Sequence, residues 1–481
     1  MQEKIHIDVP SLNIGEIVET EAFYYEDDPN VWYVVCEPRE EWSRCTECYS
    51  SNIISYGTGA ERRIHDISIG IKSVDIILRT QRYHCKSCGK TFRRPYNFVD
   101  ENKWITKRLK DSIRLKTLSQ PFKQVAEEFG MTIPTISDIF KGYGEELDKK
   151  RKLVAPRVLG IDENHIGHKM RGVFTDIEGG VLLELTEDNK SETMQKAIES
   201  MEGYDENVEF VCMDMTRGYK SVIMLCMPKA KIIVDKFHVV RYIYTATEKA
   251  RKQIFANLKK QVADLPEGPE KDDKQALLKR LGKDSYLFKF SSKRVIEDAS
   301  RTSLLARLCQ TFPELNELRI VKMRAEKIYN DSADQYEAAE NINDFIKNIP
   351  PGEEYDDFRA FSRTLNNWMP EILNYFKYGK QYTNAATEGV NALIKQLNGV
   401  GRGYSFEILR AKALYWSEAH NRPVKARKKP QVRPQPKDPQ MINKIDFFNP
   451  MKLGEKLDDW EYESGDSSSI ATLLRRFDEI F

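Results

Sequence analysis

No stretch of the chain approaches the roughly 18 consecutive apolar residues that a membrane span requires, and the opening MQEKIHIDVP lacks the basic start and apolar core of a secretory leader. A cytoplasmic protein is expected. Net charge is nearly absent too, at +1, but this is a cancellation. Residues 1–43 hold two basic and eleven acidic side chains, whereas residues 44–96 hold ten basic and four acidic ones. A basic module beside an acidic one suggests a polyanionic partner bound locally, although a solvated charged face gives the same bias. Cysteine is too sparse for a disulfide framework: of eight, four form two C-x-x-C pairs, which in a reducing compartment points to metal. Cys36, Cys212, Cys226 and Cys309 read as structural, Cys212 and Cys226 as small buried hydrophobes. No internal repeat is evident, and 481 residues exceed one ordinary core, so several modules are expected.

The acidic segment 1–43 alternates loosely (VWYVVCEP) and reads as strands. Residues 44–98 have the outline of a zinc ribbon: Cys45 and Cys48 on one knuckle, Cys85 and Cys88 on a second, and a β-rich spacer between them. Zinc takes four such thiolates at tetrahedral corners. The long spacer leaves His65 or His84 as alternatives to one cysteine. Arg93 and Arg94, with Arg79 and Arg82, could grip phosphates or merely keep the ribbon soluble. Residues 99–150 read as a helix-turn-helix. In PFKQVAEEFGMTIPTISDIFKGYG the spacing of Ala126, Gly130 and Ile136 lets two helices cross closely, and Pro134 suits a first helical turn. Thr135, Ser137 and Lys141 would then face the major groove; an ordinary helical hairpin fits the same segment. A basic run, KKRK at 149–152, marks a linker ending at Pro156.

Residues 156–240 read as three strands, a helix, a strand, a helix and a strand, the first part of an RNase H-like mixed α/β domain. An all-α insertion is expected at 241–380 and the second part of the domain at 381–421. The basic, proline-bearing stretch 422–450 reads as extended and mobile, before a tail at 451–481. The fold class is thus multidomain α+β. Asp162 and Asp214 end apolar strands, where a lone carboxylate is costly without a cation or partner. Two-metal phosphoryl transfer needs carboxylates converging from different elements. Glu163 should face away from Asp162 at period two. A third acid is offered beyond the insertion by Glu388, sharing a polar helix face with Asn391 and Lys395; Lys395 could hold a DNA phosphate, and a solvated face explains the same residues.

Together CTEC with CKSCGKTF, PFKQVAEEFGMTIPTIS, VLGIDE, VCMDMTRGY, VDKFHVV and TNAATEGVNALIK resemble the ISL-three (ISL3) family of bacterial insertion-sequence transposases, over residues 40–425. The resemblance implies a DDE triad of Asp162, Asp214 and Glu388, two Mg²⁺ ions with Mn²⁺ as a substitute, and structural Zn²⁺. It implies cleavage at the element's terminal inverted repeats and joining to target DNA, by a protein at least dimeric when two ends are synapsed. Asp235 and His238 look like the D-x-x-H element of related transposases; a helix-starting Asp with a structural His reads equally well. A non-catalytic DNA-binding regulator and a structure-selective nuclease remain the competing readings.

Overall fold

A computed structural model describes residues 3–100, 103–379 and 382–420. The segments expected at 422–450 and 451–481 lie outside the described residues. Three sheets and sixteen α-helices make the described chain a mixed α+β fold.

The N-terminal strands are β1 (Lys4–His6), β2 (Ile17–Tyr25), β3 (Asp28–Pro38), β4 (Ile53–Thr58), β5 (Arg62–Ile69), β6 (Lys72–Leu78), β7 (Gln81–Cys85) and β8 (Thr91–Arg93). They sort into two sheets, and the expected boundary at residue 43/44 does not separate them. β5 and β6, from the cysteine spacer, complete a five-stranded sheet in the order β1-β2-β3-β6-β5, while β4-β7-β8 form the small ribbon. The reason is apolar patterning. Ile64, Val74, Ile76 and Leu78 are fully buried against Ile17, Val34 and Cys36, a core the short ribbon strands could not supply.

Three helices follow: α1 (Lys107–Ser119), α2 (Phe122–Glu128) and α3 (Ile133–Lys150). Thr106 and Thr132 cap α1 and α3 by accepting backbone N–H groups of Leu109 and Thr135. Gly130, at φ +61°, turns the chain between α2 and α3. Ala126 and Ile136 then meet in one core with Phe122, Val125 and Phe140. The basic run is not a free linker, because α3 continues to Lys150 and Val154 bridges to Glu202. This helical module is fastened to the five-stranded sheet. Buried Asp66 accepts from Thr106 Oγ1 (2.7 Å) and Arg108 Nε (2.8 Å). His65 Nδ1 lies 2.7 Å from Asp75 Oδ1 and Nε2 lies 2.8 Å from the Phe129 carbonyl.

The next sheet runs β11-β10-β9-β12-β13, from β9 (Val158–Ile166), β10 (Lys169–Asp176), β11 (Val181–Leu185), β12 (Phe210–Met213) and β13 (Lys231–Val234). β9, β10 and β11 are antiparallel, whereas β12 is parallel to β9 and to β13. The crossovers are α4 (Ser191–Glu199) and α5 (Arg217–Cys226). Then come α6 (Lys236–Ala263), α7 (Pro269–Lys283), α8 (Tyr286–Lys289), α9 (Ser292–Ile296) and α10 (Ala299–Thr311). The run continues with α11 (Pro313–Asn330), α12 (Gln335–Lys347), α13 (Asp356–Asn367) and α14 (Met369–Tyr378). This helical run starts at Lys236, and its core is continuous with the sheet's. Asn374 Nδ2 on α14 donates to the Ile232 carbonyl of β13 (2.8 Å).

Finally α15 (Ala385–Val400) and α16 (Phe406–His420) cover the opposite face of β9–β11. Ile394 is fully buried there, and trimming it to Ala would cost ~2–5 kcal/mol. Gly160 of β9 permits the approach: a Cβ there would stand 2.4 Å from Thr175 Oγ1 and 2.6 Å from Thr387 Oγ1. Among the described residues no helix is long and apolar enough to cross a membrane.

Both ring nitrogens of His65 face acceptors, so the imidazolium satisfies them best. Burial opposes that charge, but hydrogen bonds to Asp75 and Phe129, with the nearby Asp66, outweigh it and raise the pKa. A raised folded-state pKa adds stability that is full below the ordinary histidine value near 6.5 and lost as pH climbs through the raised one. We therefore predict faster amide exchange across residues 122–140 as pH rises, beyond the intrinsic rate change, and a His65→Gln chain without that dependence. Identical corrected profiles would refute the role.

Candidate active site and zinc centre

The two knuckles are built alike. Cys45 N–H donates to the Ser50 carbonyl and Cys85 N–H to the Lys90 carbonyl, both at 2.9 Å, folding each C-x-x-C back on itself. Cys45 Sγ lies 3.6 Å from Cys88 Sγ and Cys48 Sγ 3.5 Å from Cys85 Sγ. All four sulfurs fall within 4.8 Å of one another. Zn–S bonds of ~2.3 Å make a tetrahedron with edges of about 3.8 Å, so the cluster fits a structural zinc. Neither histidine belongs to it: His65 binds Asp75, and His84 packs on Tyr56 at 5.6 Å.

On the solvent face of the ribbon Arg82 stands directly opposite Arg93 in the strand register, and both are exposed. Arg94 differs from its expected role. It is 9% exposed, donates to the Glu40 carbonyl, and lies over the Trp42 and Tyr96 rings, so it ties the ribbon to the preceding segment. On α3, Thr135 and Ser137 are half-buried and Lys141 is exposed. Lys141 lies near enough to Glu407 to help lower that carboxyl, behind local hydrogen bonds to its own backbone and to Ser405. Lys395 is exposed on α15.

Asp162 sits in the middle of β9, not at its end. Even-numbered residues of β9 face α15: Gly160 meets Thr387, Asp162 and Asn164 meet Asn391, and Ile166 enters the core around Ile394. Glu163 points the other way, accepting from Asn189 Nδ2 at 3.2 Å. Because Met213 is level with Ile161 across the parallel β9/β12 pair, Asp214 emerges beside Asp162. His238, in the first turn of α6, brings Nδ1 to 3.9 Å from Asp214 Oδ2. One ligand atom each from Asp162, Asp214 and His238 falls within 4.8 Å of the others.

Glu388 is not in that close trio, although it borders it. The half-buried carboxyl is pushed up to about 7 by burial, then by Asp235 and Asp162. Burial likewise raises Asp162 to about 6, and Asp214 and Asp235 add to the rise. Asp235 is 2% exposed and accepts the Asn384 N–H at 3.1 Å. No Lys or Arg among the described residues forms an ion pair with Asp162, Asp214, Asp235 or Glu388. Four acids therefore share one imidazole, a donor set of oxygen and nitrogen suited to a divalent cation.

Sequence reasoning missed what seats α15. Asn384 Nδ2 reaches the Ile161 carbonyl (3.4 Å), Thr387 Oγ1 is 2.6 Å from Thr175 Oγ1, and Asn391 Nδ2 donates to Asp162 Oδ2 (2.7 Å). All three side chains are buried. Positions 384, 387 and 391 form one helix face, so polar residues at that spacing beside Glu388 were the available signal.

The transposase family model of the ISL3 type matches residues 159–413, the span from β9 into α16 that carries all four of these acids and the histidine. A transposase for insertion sequence element IS1001 from Bordetella parapertussis is 24% identical over 215 residues, 44% of this chain and 50% of the relative. The chain thus aligns with about half the length of this curated relative.

Two predictions follow from these geometries. Purified protein should hold one zinc, lost in Cys85→Ser; since such a site contributes on the order of 10 kcal/mol to its module, strong chelation should unfold the ribbon. Absence of zinc, or zinc retained in the variant, would contradict it. Mn²⁺ at a hundredfold excess over its Kd should add ~2.7 kcal/mol of stability, and Asp162→Asn or Asp214→Asn should remove most of the melting shift. An unshifted wild-type melt would count against a cation site.

Proposed function

Because this chain belongs to the ISL3 family of transposases, we propose that it is the DNA transposase of an insertion sequence, with Asp162, Asp214 and Glu388 as its acidic triad. One observation carries the reading: four acids crowd beside one histidine at the meeting of β9, β12, α6 and α15, and among the described residues none of the four forms an ion pair with an arginine or lysine. A regulator would gain nothing from that uncompensated charge. Asp162, Asp214 and His238 would hold Mg²⁺ or Mn²⁺, with Glu388 closing on the site when DNA enters. Bound cations there would activate the attacking oxygen and stabilise the leaving 3′ oxygen.

The chain's own residues divide the remaining work. Asn391 fixes one oxygen of Asp162, while the Glu163 N–H holds the other at 2.8 Å, so the carboxylate is oriented before any cation binds. Asp235 and Asn384 lock the start of α6 to the start of α15, which sets His238 relative to Glu388. Excluding water falls to the packed core beneath. Recognition of the terminal inverted repeats falls to the α1–α3 helix-turn-helix, through Thr135 and Ser137, and to the ribbon. Its facing Arg82 and Arg93 repel each other unless an anion lies between them, and no carboxylate among the described residues pairs with either. Phosphate binding there would fall steeply with salt. Two ends must be brought together, so the working unit is at least a dimer.

The test is labelled element-end DNA with Mn²⁺. Wild type should nick at the end, and Asp162→Asn, Asp214→Asn and Glu388→Gln should each lose at least ~10³-fold in rate, corresponding to several kcal/mol of lost transition-state stabilisation. End binding should survive in all three and weaken in an Arg82→Ala, Arg93→Ala pair. Full strand transfer by Glu388→Gln would end the triad proposal, and an inert wild type that binds ends would favour the regulator.

A further inference from the structure

Helix α16 belongs to two cores at once. Ile408, Ala411 and Tyr415 pack with Leu109, Phe122, Ile136 and Phe140 of the helix-turn-helix. Leu409 and Ala413, on the neighbouring face, pack with Val173, Leu185, Val390 and Ile394 of the catalytic sheet and α15. Positions 408, 411 and 415 repeat at helical spacing, as do 409 and 413. Gly144 of α3 allows the crossing, since a Cβ there would stand 3.2 Å from Ala411 Cβ.

The polar contacts are more specific than the apolar ones. Arg410 holds both carboxylate oxygens of Glu184 on β11 (2.6 and 2.8 Å) and donates to Asp148 on α3 (2.7 Å), which also accepts from Tyr415. Lys412 is 1% exposed and pairs with no carboxylate among the described residues. Its Nζ donates to the Thr117 carbonyl and to the Gln120 carbonyl (2.9 Å) at the end of α1, enclosed by the Phe122, Phe140 and Tyr404 rings. An apolar side chain would fill that space at lower desolvation cost. A lysine adds two directed bonds that fix how far α1 slides and turns against α16, the use for which buried polar groups are best attested.

Resting on the transposase reading, we propose that α16 is a strut fixing the distance from the DNA-reading helices to the Asp162 cluster, with Lys412 and Arg410 as positioning residues. The phosphate presented for cleavage is then set by the frame of this chain, at a constant offset from the bound end sequence. The short connection from α3 to β9 agrees: Arg151 hydrogen-bonds the Leu183 carbonyl, leaving little slack.

The full chain carrying Lys412→Met or Arg410→Gln should bind end DNA within threefold of wild type but scatter its cuts over neighbouring phosphates, the wild-type position losing at least half its share. Gly144→Ala, which deletes no polar group, should scatter them too and serves if the other two fail to fold. Cuts confined to the wild-type phosphate in every folded variant would overturn the strut. Independently of cleavage, spin labels introduced as unnatural residues at Asp138 and Gln396 should give one narrow distance in wild type and a broadened one in the variants. A broad wild-type distance, or unbroadened variants, would overturn it as well. An uncut end with a narrow wild-type distance would sink the transposase reading alone.

Discussion

Asn391 donates to Asp162 across 229 residues of sequence, and the arrangement of the acidic cluster depends on that contact and its neighbours. Hydrophobic packing alone would let α15 rotate or slip along β9, since apolar contacts have no direction. Three buried polar side chains at helical spacing each find a partner on β9 or β10, the Asn384 backbone N–H adds a bond to Asp235 at the start of α6, and only one placement satisfies them all. An unpaired polar group in that interior would cost ~1–3 kcal/mol, so slipped registers are penalised several times over. Glu388 inherits its position from that constraint.

The helical insertion imposes less than its length suggests. Loop-closure cost grows only logarithmically with length, about 0.6 kcal/mol per doubling, so the chain can leave after β13 and return at α15 at little expense. It also returns through structure, because α6 begins at the last strand and α14 packs back on β13. Shared apolar residues make the insertion an extension of the core of that sheet, and the same helix that opens it supplies His238 to the acidic cluster.

Much of this was legible in the sequence where periodicity or spacing carried it. The paired C-x-x-C knuckles, the Ala126, Gly130 and Ile136 spacing, the strand and helix order after Pro156, and the strand-borne Asp162 and Asp214 are local patterns. What escaped was long-range pairing. Nothing local says that Ile64 and Val74 leave the ribbon to join Val34, because strand partnership is decided by which apolar face needs cover. Arg94 looks like a surface arginine until Trp42 and Tyr96 close over it. Asn391 lies on the polar face where Glu388 was noticed, but amides at helical spacing become informative only when the opposing strand is known. His238 was visible only as one reading of two, and its 3.9 Å approach to Asp214 depends on β12 and β13 being neighbours.

The cover of β9, β10 and β11 comes from α15 and α16, far downstream in the chain. During synthesis at ~5–20 residues per second, the apolar patch of Ile166, Val173 and Leu185 therefore waits on the order of 10 to 50 s for Ile394, Leu409 and Ala413 to emerge. The α1–α3 module lacks its α16 face for a similar interval. A nascent chain can thus fold its ribbon early yet carries no assembled acidic cluster until nearly all of the described sequence has left the ribosome. Truncated chains would be left with a bare apolar sheet face, which makes them prone to aggregation.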